Sequence, residues 1–296
     1  MGKIYEAFNR AADERDRTEG TSAEDGLDER GLPFEVEVLP PEEFDFMSYS
    51  LRAPSILEKE RKNREAAAAA LVRKSHARPI RQVKVDPRRV DPHLIAFYNP
   101  DPQVSRQYDK LALSMISKAA EAKFKRVLVA SAQHGDGRTS VTLNLACALS
   151  RARKRVLVVD CDLMKPSVLS ALGISCETGM AEAFLSNLPP GEAAIRVLPY
   201  GFNVLPTTRP LDNSAEFFAA PGFWKMLRLF DSEHDFILFD SSPLLATGDA
   251  NMLARYTDTT LLVVRACKTT SAEMAKAVAP FAQEDLFGVV LNRAIR

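Results

Sequence analysis

Residues 125–162, KRVLVASAQHGDGRTSVTLNLACALSRARKRVLVVDCD, constrain this chain more than any other stretch. A β-branched and aliphatic run of strand length at 126–130 leads directly into Ser131, Ala132, Gln133, His134, Gly135, Asp136, Gly137, Arg138, Thr139 and Ser140. Apolar residues then recur at helical spacing to about residue 152, and a second aliphatic run follows at 155–160. Strand, glycine-bearing loop, helix and strand in that order are the layout of a phosphate-binding loop.

The residue types suit that chemistry. Gly135 and Gly137 let the backbone turn with its N–H groups inward, and the helix beginning near Thr139 directs its positive end at the same spot. An anion fits there. Thr139 stands where a loop hydroxyl ligates Mg2+, whereas the position that is lysine in the usual pattern is Arg138. Gly135, Asp136, Gly137, Arg138, Thr139 and Ser140 are therefore the candidate contacts of ATP or ADP. An isolated GxG could equally be a plain turn; the flanking strand and helix, with Ala132 and Thr139 at the ends of the pattern, favour phosphate.

At 296 residues the chain can bury one substantial core with length left for an arm. Its formal net charge is zero, which gives no electrostatic reason to expect nucleic acid. Cys147, Cys161, Cys176 and Cys267 are scattered without metal-ligand spacing, as expected of reduced thiols in the cytoplasm. The sequence has neither a signal-peptide-like start nor an apolar run of membrane-spanning length, so any membrane association is expected through a partner.

Residues 1–103 read as an N-terminal arm and linker. A short amphipathic helix at 1–12 precedes an acidic linker, a brief edge strand within 32–55, a basic, alanine-rich helix at 56–74 and a proline-rich extended path at 76–102. Residues 104–296 read as the nucleotide-binding domain. Helices are expected at 104–124, 139–152, 180–188, 214–230, 249–255 and 271–283, and strands at 126–130, 155–160, 203–206, 235–240, 259–265 and 287–292. Such alternation predicts an α/β fold of the P-loop NTPase kind, a doubly wound, mostly parallel sheet with helices on both faces. Ligands then sit at the carboxyl ends of the strands.

Three aspartates fall at such ends: Asp160 and Asp162 after RVLVV, and Asp240 after FILF. Alternation along an extended chain sends Asp160 and Asp162 to one side. Asp240 suits the acid that holds the magnesium shell, and Asp160 or Asp162 could polarise an attacking hydroxyl. Acids after buried strands also cap loops, but three of them beside a phosphate loop point to chemistry. His134 lies in the loop, yet His76, His93 and His234 offer no spacing that completes a metal site with it.

With these motifs in view, residues 104–294 resemble the bacterial tyrosine kinases, the cytoplasmic partners of membrane polysaccharide co-polymerases in capsule and exopolysaccharide export. VLVVDCDLMKPSV is similar to that family's Walker A′ segment, FILFDSSPLLATGDA to its Walker B segment, and GVVLNRA to its last strand, where the resemblance puts Asn292 near adenine. MGKIYEAFNRA is similar to the opening of members linked to exosortase gene clusters. The resemblance implies ATP-dependent transfer to protein tyrosine, with Asp160, Asp162 and Arg138 as catalytic groups and Thr139 and Asp240 at the metal. It also implies a co-polymerase partner and self-association.

Five departures bear on that expectation. Arg138 replaces the loop lysine, Met164 an arginine, and Ser242 the first proline of a Pro-Pro pair. The positions of the family's Glu-x-x-Arg-x-x-Arg oligomerisation motif hold Arg106, Asp109 and Ala112, and the six tyrosines are dispersed instead of clustered at the C-terminus. Weakened or lost transfer is therefore expected. The alternatives are a nucleotide-responsive regulatory subunit that does not turn ATP over and, ranked lower, a positioning ATPase of the partition type.

Overall fold

A computed structural model describes residues 80–98, 102–186, 188–282 and 285–293. The N-terminal helix, acidic linker, edge strand and basic helix expected before residue 75 lie outside the described residues. The chain runs β1 (Arg81–Lys84), α1 (Ile95–Tyr98), α2 (Pro102–Ala122), β2 (Arg126–Ser131), α3 (Arg138–Arg151), β3 (Val156–Cys161), α4 (Val168–Ala171), α5 (Met180–Leu185), α6 (Pro190–Ala193), β4 (Ile195–Leu198), β5 (Asn203–Leu205), α7 (Ser214–Ala219), α8 (Pro221–Arg228), β6 (Phe236–Ser241), α9 (Asp249–Ala254), β7 (Thr259–Arg265), α10 (Ser271–Val278) and β8 (Leu286–Asn292).

Among the described residues the strands form one eight-stranded sheet, ordered β1-β4-β5-β3-β6-β2-β7-β8. Its pairings are parallel except that of β4 with β5. The strand alternation explains the two-sided core. Val127 and Val129 of β2, Val156 and Val158 of β3 and Leu238 of β6 turn to one face, beneath α2 and α3. Leu128, Ala130, Leu157, Val159 and Phe239 turn to the other, beneath α5 and α7 to α10. Both kinds of position are apolar, so the central strands read as continuous hydrophobic runs. Each large side chain fully buried here, such as Phe239, contributes about 1.5–3 kcal/mol.

Helix α3 is buried from Val141 to Leu149. Its one amide side chain in that run, Asn144, is satisfied: Oδ1 accepts from Ala96 N at 2.9 Å, and Nδ2 donates to the carbonyls of His93 and Ser140 at 2.9 and 2.8 Å. The turn before α1 is thereby fastened to the helix that follows the phosphate loop.

The structure departs from the sequence expectation at several places. The helix expected over 214–230 is two helices, because Pro221 starts a new one and holds the preceding Ala220 extended at ψ 121°. Helix α10 stops at Val278, two residues before Pro280, rather than reaching 283. Helix α5 ends at Leu185 rather than 188. Within the stretch read as an extended path, β1 joins the sheet edge beside β4, itself too short to announce itself, and α1 packs on α3. Among the described residues no helix is long and apolar enough to cross a membrane.

Candidate functional site

Because β3, β6 and β2 are neighbours and parallel, their carboxyl ends converge. The chain leaves β2 through a loop in which Gly135 and Gly137 take left-handed conformations, φ 82° and 96°. Gly137 is the N-cap of α3, and a Cβ there would collide with Asn292 Nδ2. The first amides of α3 have no carbonyl partner within the helix and are free to meet an anion. Asp136 contributes through its backbone: its carboxylate is buried under the loop, where Oδ2 accepts from Gln133 N at 2.9 Å and Oδ1 from Thr269 Oγ1 at 3.1 Å. Ser140 follows in the first turn, half-buried, with its carbonyl taken by Asn144.

Thr139 reaches the end of β6. Its Oγ1 donates to Asp240 Oδ2 at 2.7 Å and lies 2.8 Å from Ser167 Oγ. A hydroxyl has one hydrogen, so Ser167 is the donor in the second contact. Thr142 Oγ1 is 3.4 Å from Asp240 Oδ1. Asp160 is the register partner of Asp240 across the β3–β6 pair. Its Oδ2 accepts from Val168 N at 3.1 Å, while its buried Oδ1 has no hydrogen-bond partner. Burial, and then the neighbouring carboxylate of Asp240, raise the Asp160 pKa well above the usual carboxylate range. Burial pushes Asp240 up to about 6, with the Thr139 hydrogen bond and the Arg138 charge opposing. Two buried acids side by side, one with an unmet acceptor, are an arrangement that a cation would relieve.

Arg138 is the surprise of the site. Its guanidinium is buried and already engaged: Nε donates to Ser241 O at 2.8 Å, Nη1 to Ser131 Oγ at 2.5 Å and Gln133 O at 3.0 Å, and Nη2 to Asp162 Oδ2 at 3.5 Å. One planar group thus joins the ends of β2 and β6 to the segment after β3. Asp162 Oδ1 in turn accepts from Lys165 N at 3.0 Å, and burial raises its pKa despite that bond and the Arg138 charge. His134 is exposed on the loop; desolvation and then Arg138 lower its imidazole pKa.

Two groups at the site escaped the sequence reading. Ser167 carries no motif signal. Asp249, at the start of α9, is buried with Oδ2 lacking a hydrogen-bond partner, and its charge is felt at Cys161 and Asp162. The acid opening a helix after Gly248 was the available clue. On α2, Ala112 is buried and Asp109 pairs with Arg151 of α3 at 2.6 Å, so two positions of the oligomerisation motif serve internal packing.

Fold and site define a P-loop α/β domain, and the comparisons agree. Residues 124–283, more than half of the chain, match the profile of the AAA domain family AAA_31, and the chain belongs to that family. Curated proteins that it matches include bacterial proteins named as tyrosine-protein kinases. The chain is 28% identical over 207 residues to the tyrosine-protein kinase YwqD of Bacillus subtilis, covering 69% of this chain and 87% of that one. It is 27% identical over 222 residues to the tyrosine-protein kinase wzc of Salmonella typhi, where the match covers 73% of this chain but only 30% of the relative. The crystal structure of the VpsO kinase domain superposes with a TM-score of 0.59 at 26% identity, over 67% of this chain and all of that one. The kinship read from the motifs therefore holds over the folded domain.

Proposed function

We propose that the chain binds ATP or ADP with Mg2+ at the loop from Gly135 to Ser140 and acts as the kinase-type partner of a membrane polysaccharide co-polymerase in exopolysaccharide or capsule biosynthesis. Transfer to protein tyrosine is its inherited reaction, depressed here by Arg138. The observation that carries the reading is the Thr139–Asp240 contact at the first turn of α3, a hydroxyl and an acid of the kinds that hold magnesium, beside the helix end that favours an anion.

The residues fit the ion. Thr139 and Asp240 would hold it, and the unmet Oδ1 of Asp160 suits a donor such as a metal-bound water. Among the described residues no three His, Cys, Asp or Glu side chains make a self-sufficient metal cluster, so waters and phosphate oxygens would have to complete the shell. When bound, Mg2+ neutralises charge on the β- and γ-phosphates. The loop amides bind and orient those phosphates. Asp160 and Asp162 are the candidate groups for taking the proton of an acceptor hydroxyl, and the raised pKa of each favours proton acceptance.

One observation favours the second reading, a regulator that binds nucleotide without turning it over. Arg138 spends its guanidinium on four protein acceptors, and Asp162 is paired with it. The experiment that separates the readings combines calorimetry with Mg-ATP and radiolabel transfer from γ-labelled ATP to a tyrosine-rich peptide. Binding with slow transfer is the expected result. Binding with no transfer supports the regulator, and absence of binding by the folded protein overturns both. On either reading the chain acts in the cytoplasm, at the membrane through its partner, and self-association is tested on the same sample by light scattering.

A further inference from the structure

The outer side of the phosphate loop is gripped by the ends of two strands. Arg265 and Asn292 are register partners at the ends of β7 and β8, and Ala266 N donates to Asn292 O at 2.9 Å, which locks the two ends together. From there Asn292 Nδ2 donates to Asp136 O at 2.8 Å and Arg265 Nη1 lies 3.5 Å from Gly135 O. Thr269, whose Oγ1 also accepts from Arg265 N at 3.2 Å, holds the Asp136 carboxylate.

These contacts have a geometric consequence. In a planar trans peptide the C=O and the following N–H point in opposite directions. Holding the carbonyls of Gly135 and Asp136 outward against β7 and β8 turns the N–H groups of Asp136 and Gly137 inward, toward the anion cradle. Gly137 then has two reasons to be glycine, its left-handed φ and the contact with the Asn292 amide.

We infer that Asn292 is a positioning residue for the phosphate loop, acting on the bound nucleotide through the Asp136 and Gly137 amides rather than by reading the base. The inference rests on the nucleotide-site reading above, and it reassigns a residue that the family resemblance puts beside adenine. A base reader would affect only ligands that carry the right base. A loop brace affects every ligand that carries the phosphates.

The test is calorimetry of the full chain with Mg-ATP, Mg-GTP and Mg-tripolyphosphate, which has no base, for the unsubstituted protein, Asn292→Ala and Asn292→Leu. Leucine keeps the side-chain shape and removes the donor, so it serves if the alanine variant folds poorly. The expected result is a loss of affinity by a common factor, on the order of 10-fold, for all three ligands. Loss confined to ATP, with tripolyphosphate unaffected, overturns the inference in favour of base recognition. Unchanged affinities with a lowered unliganded melting temperature also overturn it, showing a role in stability alone. No binding of any of the three by the unsubstituted chain overturns the nucleotide site itself, and the positioning role with it.

Discussion

Thr139 Oγ1 and Asp240 Oδ2 lie 2.7 Å apart, joining the first turn of α3 to the end of β6 across 101 residues of sequence. The hydrogen bond holds the two side chains close, as joint magnesium binding requires. Asp240→Asn keeps an acceptor for Thr139 but removes the charge. It is expected to weaken Mg-dependent nucleotide binding by about 10-fold or more while leaving Mg-free binding nearly unchanged. Titrations with and without Mg2+ decide it; equal affinities for both proteins in Mg2+ would make Asp240 a structural cap.

The same substitution has an opposite expected effect on stability. The folded-state pKa of Asp240 is about 6, above its ordinary 3.8, so the folded chain binds this proton more tightly than the unfolded chain. Stability contributed by the group therefore falls as pH rises from about 4 to 6, and a penalty on the order of 3 kcal/mol persists above that range. Without Mg2+ or nucleotide, Asp240→Asn should be more stable than wild type at pH 7–8, and the gain should vanish near pH 4. Urea denaturation across this range checks it. A difference that does not change with pH would count against burial of the charge.

Arg138→Lys places a compact point charge where a planar fork now reaches four acceptors. An ammonium group cannot span the acceptors at Ser131, Gln133, Ser241 and Asp162 together, so stability should fall by about 1–3 kcal/mol. Lysine also supplies the group that the phosphate loop otherwise lacks, and single-turnover transfer to a tyrosine-rich peptide should rise by about 10²-fold, with nucleotide affinity changing much less. Wild-type transfer as fast as that of the lysine form would show that arginine serves catalysis well.

Thiol reactivity should separate the cysteines cleanly. Cys267 is exposed, whereas burial pushes the Cys147 thiol up to about 11 and also raises the Cys161 thiol well above its ordinary range. At pH 8 a thiol reagent is expected to label Cys267 quickly and to reach Cys147 and Cys161 only when the chain unfolds. The fast phase should disappear in Cys267→Ser. Rapid labelling that survives this substitution and maps to Cys147 or Cys161 would mean that the sheet opens in the native state.

Much of the fold was legible because its signals are local. The aliphatic runs ending at Asp160 and Asp240 are long enough to identify central strands, and each is followed within a few residues by a proline, Pro166 and Pro243. Strand β7 was bounded to the residue, Thr259–Arg265. Strands β1 and β4 were missed because four residues are too few to establish a period; β1 is held by pairing with β4, and β4 by pairing with both β1 and β5. The division of α7 from α8 was written in Pro221 and was overlooked because the apolar spacing runs on across it.

The sequence alone determined that residues 126–140 form a strand, a glycine-bearing loop and the start of a helix, since glycine conformation, apolar runs and helix polarity act over a few residues. It also determined that acids stand at the ends of β3 and β6. Only the tertiary structure decided what those groups meet. That Arg138 is buried among the strand ends, that Asp160 faces Asp240, and that Asn292 holds the carbonyl of Asp136 depend on a strand order in which β6 lies between β3 and β2 and β8 lies outside β7. Side-chain partners separated by a hundred residues are chosen by how the sheet is assembled, and no local pattern encodes that choice.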